Sequence, residues 1–130
     1  MINWTEHLVD PTALKSLYGE DTPLLKGVNV HGIEIQRDGP KVLLRFDLRE
    51  FPNHPPTKWK TAGFNRIQLR LLAVGVRELQ ISGMQSNCML DLNITKENGI
   101  IRLNADNGAL KLEITAEHVM IDGVSAYCDV

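Results

Sequence analysis

The chain has no apolar run long enough to cross a bilayer: its longest, Leu71 to Val74, is far short of the ~20 residues a spanning helix needs. Nor does it open with a basic segment and an apolar stretch, since Met1-Ile2-Asn3-Trp4-Thr5-Glu6-His7 has neither, so a cytoplasmic address is expected. It has no basic stripe: 14 Lys and Arg stand among 16 Asp and Glu, the net charge is −2 and the pI about 6.1, which argues against nucleic acid or a membrane as partner. Only two cysteines occur, Cys88 and Cys128, and in a reducing compartment such residues are more often small buried hydrophobes than a bridge, so no disulfide is expected. Without export, the glycosylation patterns at Asn3-Trp4-Thr5 and Asn93-Ile94-Thr95 are chance matches.

Reaction chemistry is also missing. His7, His31, His54 and His118 lie on four different elements, none within five residues of another histidine or a cysteine, so no metal site can be read. There is no Gly-x-Ser-x-Gly elbow, no phosphate-cradling glycine loop and no Cys-x-x-Cys. Acids such as Asp91 and Glu113 fall on strand faces, where a carboxylate usually points at water. No catalytic residue, cofactor or metal is therefore expected, and no enzyme.

What is present is alternation. Val28, Val30, Ile33 and Ile35 make a first strand whose phase slips by one at Gly32, as a bulge would cause. After the turn Arg37-Asp38-Gly39-Pro40, Val42, Leu44, Phe46 and Leu48 alternate, and further strands are read near 64 to 74 and 76 to 82, divided by Gly75. Leu90, Leu92 and Ile94 run up to Asn98-Gly99, Ile101 and Leu103 up to Asp106-Asn107-Gly108, and Leu110, Leu112 and Ile114 follow, with Asn-Gly as the hairpin signal. A last strand, Val119 to Ala126, changes phase at Asp122-Gly123. Ahead of the strands, Asp10-Pro11 starts a helix that runs to about Tyr18 and stops at Gly19, with Leu14, Leu17 and Tyr18 on one stripe.

About eight antiparallel strands with one apolar face cannot stay a single flat sheet. The expected fold is mostly β: an antiparallel two-layer β-sandwich or partly open barrel with a short N-terminal helical segment. It is read as one domain over 1–130, with helix in 1–19 and the sandwich in 27–128. A chain of this length buries roughly two-thirds of its unfolded surface, enough for one core.

Between the second and third strands lies Phe51-Pro52-Asn53-His54-Pro55-Pro56-Thr57-Lys58-Trp59-Lys60-Thr61-Ala62-Gly63-Phe64, a proline-stiffened aromatic loop read as having no regular element. Stiff loops on rigid scaffolds are where binding surfaces are usually built. Trp59 reads as an interface anchor or as a lid capping one end of the sandwich; His54 reads as a recognition residue or an idle loop histidine. Arg45, Asp47 and Arg49 alternate on the outward face of the second strand, and Arg66, Gln68 and Arg70 on that of the third. A solvated face is one reading of these and a charged patch for a partner is the other.

Leu17-Tyr18-Gly19, His31 with Gly32, Arg37-Asp38-Gly39-Pro40, the run Val42 to Leu48, Pro55-Pro56-Thr57-Lys58-Trp59, and Phe64-Asn65 through Gly83 together give a chain that resembles the immunity protein 50 family of bacterial polymorphic toxin systems, nearly end to end. The resemblance implies a mostly β cytoplasmic protein that binds and neutralises a cognate protein toxin, and it brings no catalytic residues. Trp59, Lys58, Lys60, His54, Phe51, Arg45 and Arg49 are the expected partner-binding residues, and homo-oligomerisation is left open. The alternative is a small-ligand or carbohydrate-binding β-sandwich with Trp59 as stacking platform.

Overall fold

The structure, a computed structural model, describes residues 3–52, 54–84, 86 and 88–129. Asn53 of the aromatic loop, and Met1 and Ile2 of the N-terminal segment, lie outside the described residues.

The N-terminal segment is helical in two pieces. Asn3 Oδ1 accepts the amide of Thr5 and starts a 3-10 turn over Trp4–His7; Asp10 Oδ1 accepts the amide of Thr12, 3.0 Å away, and starts helix α1, Thr12–Tyr18. Gly19, at φ 60°, ends it as expected. Leu14, Leu17 and Tyr18 are buried, and Tyr18 donates to the Glu50 carbonyl at 2.6 Å, tying α1 to the end of the second strand. The 3-10 turn packs beside the outermost strand, so the segment covers an edge as well as the apolar face.

The rest is one antiparallel sheet of seven strands: β1 Val28–Gln36, β2 Lys41–Asp47, β3 Arg66–Ser82, β4 Met89–Leu90, β5 Asn93–Glu97, β6 Ile100–Asp106 and β7 Lys111–Tyr127. Their spatial order is β4-β1-β2-β3-β7-β6-β5, and the sheet does not close into a barrel. The expected two layers are parts of this one sheet. β3 and β7 are each 17 residues long and pair with each other along almost their whole length. Their Arg66 and Tyr127 ends join β2 and β1 into one wing; their Ser82 and Lys111 ends join β6 and β5 into the other.

This corrects two expectations. Gly75 does not divide two strands: at φ 67° it sits inside β3, between the pairs Val74↔His118 and Val76↔Ala116. Likewise the runs at 110–114 and 119–126 are one strand, β7. Alternation weakens where β3 and β7 carry extra residues, at the shifts Val76/Glu78 and Arg70/Leu71, and such interruptions resemble strand ends when only sequence is read.

Turn chemistry fares better. Asn98 and Gly99, at φ 52° and 79°, join β5 to β6 as a two-residue hairpin. Asn107 Oδ1 accepts the amides of Ala109 and Leu110 to build a longer connection into β7. Leu44, Phe46, Leu69 and Leu71 from one wing share a single core with Leu103, Leu112 and Ile114 from the other, each 1% exposed or less. Neither Cys88, which is buried, nor Cys128, which is exposed, forms a disulfide.

Candidate binding face

Strand alternation that sends Leu44, Phe46, Ile67 and Leu69 inward must send Arg45, Asp47, Arg66, Gln68 and Arg70 outward. Register then sets Asp47 opposite Gln68 and Arg45 opposite Arg70, while Tyr127 of β7 falls opposite Arg66. On the other flank Asn29 of β1 pairs with Asp47 and Gly32 with Arg45, which leaves His31 as the extra residue of a bulge. The phase slip read at Gly32 is this bulge, and bulges re-aim side chains. Here His31 Nε2 comes 3.0 Å from Asp47 Oδ2.

The Tyr127 hydroxyl donates to the same oxygen. Asp47 is only 7% exposed, and its other oxygen, Oδ1, has no hydrogen-bond partner among the described residues. A buried carboxylate held on one oxygen by an imidazole and a phenol is anchored but short of a donor. The phenol pays its own electrostatic penalty: burial, then the hydrogen bond to Asp47 and its charge, push the Tyr127 pKa up to about 12.

Around this trio opens a cleft of about 520 Å³ whose lining includes His31, Asp47, Arg49, Arg66, Met89 and Tyr127. Arg66 Nε lies 3.5 Å from Asp129 Oδ2 at its margin. Another cleft, of about 380 Å³, lies on the other side of the bulge, lined by Gly32, Glu34, Leu43, Arg45 and Arg70 among others. No group of His, Cys, Asp and Glu among the described residues could hold a metal ion.

The aromatic loop is built differently from its expectation. Thr57–Ala62 forms a short helix, α2, preceded by Pro56 and closed by Gly63 in the left-handed conformation, with Gly63 N bonded to Lys60 O and Phe64 N to Trp59 O. That pair of bonds is the Schellman ending, and Pro-before, Gly-after is the helix signature the loop contains. Trp59 is half-buried, packs against the core and meets Phe51 with ring centroids 6.3 Å apart and planes tilted by 55°. His54, Lys58 and Lys60 are exposed on the same segment, and Phe51 is half-buried.

Of the expected partner-binding residues, then, Arg45 and Arg49 belong to the outward face, with Arg49 lining the larger cleft, while Phe51, His54, Lys58, Trp59 and Lys60 belong to the segment that leaves β2 just beyond it. Sequence reading missed His31, Tyr127 and Arg66 as members of one cluster. The bulge at Gly32 was the available signal for His31; for Tyr127 there was none, since its partner lies 80 residues away.

The chain is thus a mostly β protein built on one antiparallel sheet, with a mixed-charge outward face and an aromatic segment beside it. The chain matches the description of the immunity protein 50 family over residues 10–127, which span every strand and both helices, and it belongs to that family. No curated protein matches it, and neither does any solved structure.

Proposed function

We propose that this protein binds and neutralises a partner bacterial toxin by covering part of the toxin's surface, without catalysis. Membership of the immunity protein 50 family across residues 10–127 carries this reading. The docking surface is the outward face of β1, β2, β3 and β7 together with the Phe51 to Lys60 segment. Trp59 and Phe51 supply the apolar anchor, Arg45 and Arg49 the charge, and Lys58, Lys60 and His54 the rim. Prolines 52, 55 and 56 and the α2 turn lower the ordering cost of presenting that anchor. The carbohydrate-platform alternative gains no support: Trp59 is not in the lining of the larger cleft, and its ring is engaged with Phe51.

The test uses the protein encoded next to this one. Co-expression should rescue cells from it, and calorimetry should show a stable complex. Trp59→Ala should weaken that complex by about 2 kcal/mol or more, the range for a buried interfacial tryptophan, and move the melting temperature by only a few degrees. A large drop in melting temperature with affinity intact would make Trp59 a core lid and put the interface elsewhere.

A further inference from the structure

Three arginines of the outward face, Arg45, Arg49 and Arg70, share one detail: each passes close over a glycine of a neighbouring segment. A Cβ on Gly32 would stand 3.2 Å from Arg45 Nη2, one on Gly27 would stand 3.5 Å from Arg49 Cδ, and one on Gly123 would stand 1.8 Å from Arg70 Nη2. Gly32 and Gly123 are inside strands, where glycine weakens the sheet and often marks a close approach. The missing Cβ atoms leave room for these side chains to approach the backbone.

They differ in what they face. Arg70 has Asp122 at 3.6 Å, and Arg66 has Asp129. Arg45 and Arg49 make no ion pair among the described residues, although Arg45 stands directly opposite the like-charged Arg70. Like charges in that position destabilise a sheet, so the isolated fold gains nothing from Arg45. The two unpaired guanidiniums flank the His31 and Asp47 pair, Arg45 from within β2 and Arg49 from two residues beyond its end.

Resting on the reading that the partner is a protein toxin, we infer that Arg45 and Arg49 are receptors for carboxylates, and that the toxin presents an acidic surface to this face. A planar guanidinium pairs with a carboxylate through two parallel N–H···O bonds, and Arg45 and Arg49 are exposed and have no such partner among the described residues. A continuous polyanion fits poorly, because Glu34 lines the cleft that holds Arg45 and Asp129 the cleft that holds Arg49, and both would repel it. Separate side-chain carboxylates can sit between those acids.

Arg45→Gln and Arg49→Gln each remove a charge that the free protein does not pair. Each should weaken toxin binding about thirtyfold, the lower end for truncating an interfacial charge pair, and flatten its salt dependence, with no loss of melting temperature. Replacing a toxin acid by arginine should restore binding to Arg45→Glu. If the toxin binds wild type and both glutamine variants equally, the carboxylate receptors are wrong and the toxin reading stands. If the toxin does not bind wild type at all, that reading falls, and a glutamate-rich peptide titrated into labelled protein decides the site. Shifts of the Arg45 and Arg49 Nε–H signals would support it, whereas no shift, or equal shifts with inorganic phosphate, would overturn it.

Discussion

A phenol that donates to a buried carboxylate resists ionisation twice, because water is displaced from around the phenolate and the carboxylate repels it. Both tyrosines of this chain are raised above the ordinary 10.0: Tyr127 to about 12 by burial and Asp47, and Tyr18 further still by burial and the charge of Glu50. The folded state therefore holds these protons more tightly than the unfolded chain does. That stability is fully present below pH 10 and is lost as pH rises toward 12. Melting temperature should fall across that window, and Tyr127→Phe should make the fall shallower while costing about 1.5 kcal/mol at neutral pH for the lost bond to a charged acceptor. An alkaline limb unchanged by the substitution would refute the link. At this scale the sequence was half legible: alternation alone aimed Arg45, Asp47 and Arg49 outward, but it could not show that Tyr127, 80 residues away, would join His31 on Asp47.

Gly75 shows how an element can be misread when its parts are read correctly. A glycine between two alternating runs looks like a turn, and only the partner strand, continuing through His118, Glu117 and Ala116, reveals one long ribbon. Because Gly75 adopts φ 67°, Gly75→Ala should cost about 1–2 kcal/mol from the left-handed backbone alone. The nearest atoms to the new methyl would be those of the flexible Glu117 side chain, its Oε2 2.8 Å from the ideal position, which can move aside and loosen the Arg77 to Glu117 pair. Melting should therefore drop by several degrees with toxin affinity unchanged. An alanine variant as stable as wild type would mean that β3 is broken at that point. Short-range signals served well wherever backbone chemistry is local, as at Asp10, Gly19 and Asn98-Gly99. They were also present, and overlooked, at Pro56 and Gly63, where proline-rich composition drew the reading toward an irregular loop instead of α2.

At the scale of the whole molecule the two long strands make one object of two wings, and the outward face draws on β1, β2, β3 and β7 together. Chain order gives that arrangement a schedule. β2 and β3 leave the ribosome well before β7, yet until β7 arrives Asp47 has no phenol and Arg70 has neither Asp122 nor Gly123 beside it. A nascent chain halted after Asp106 should fail to capture the toxin in a ribosome pulldown, while one halted beyond Asp129 on a linker that clears the tunnel should succeed. Capture by the shorter chain would show that β7 is dispensable to the face. On the proposed function, protection is a property of finished molecules only: chains still being made would not shield a cell, and completed copies would have to be in stock before the first toxin molecule folds.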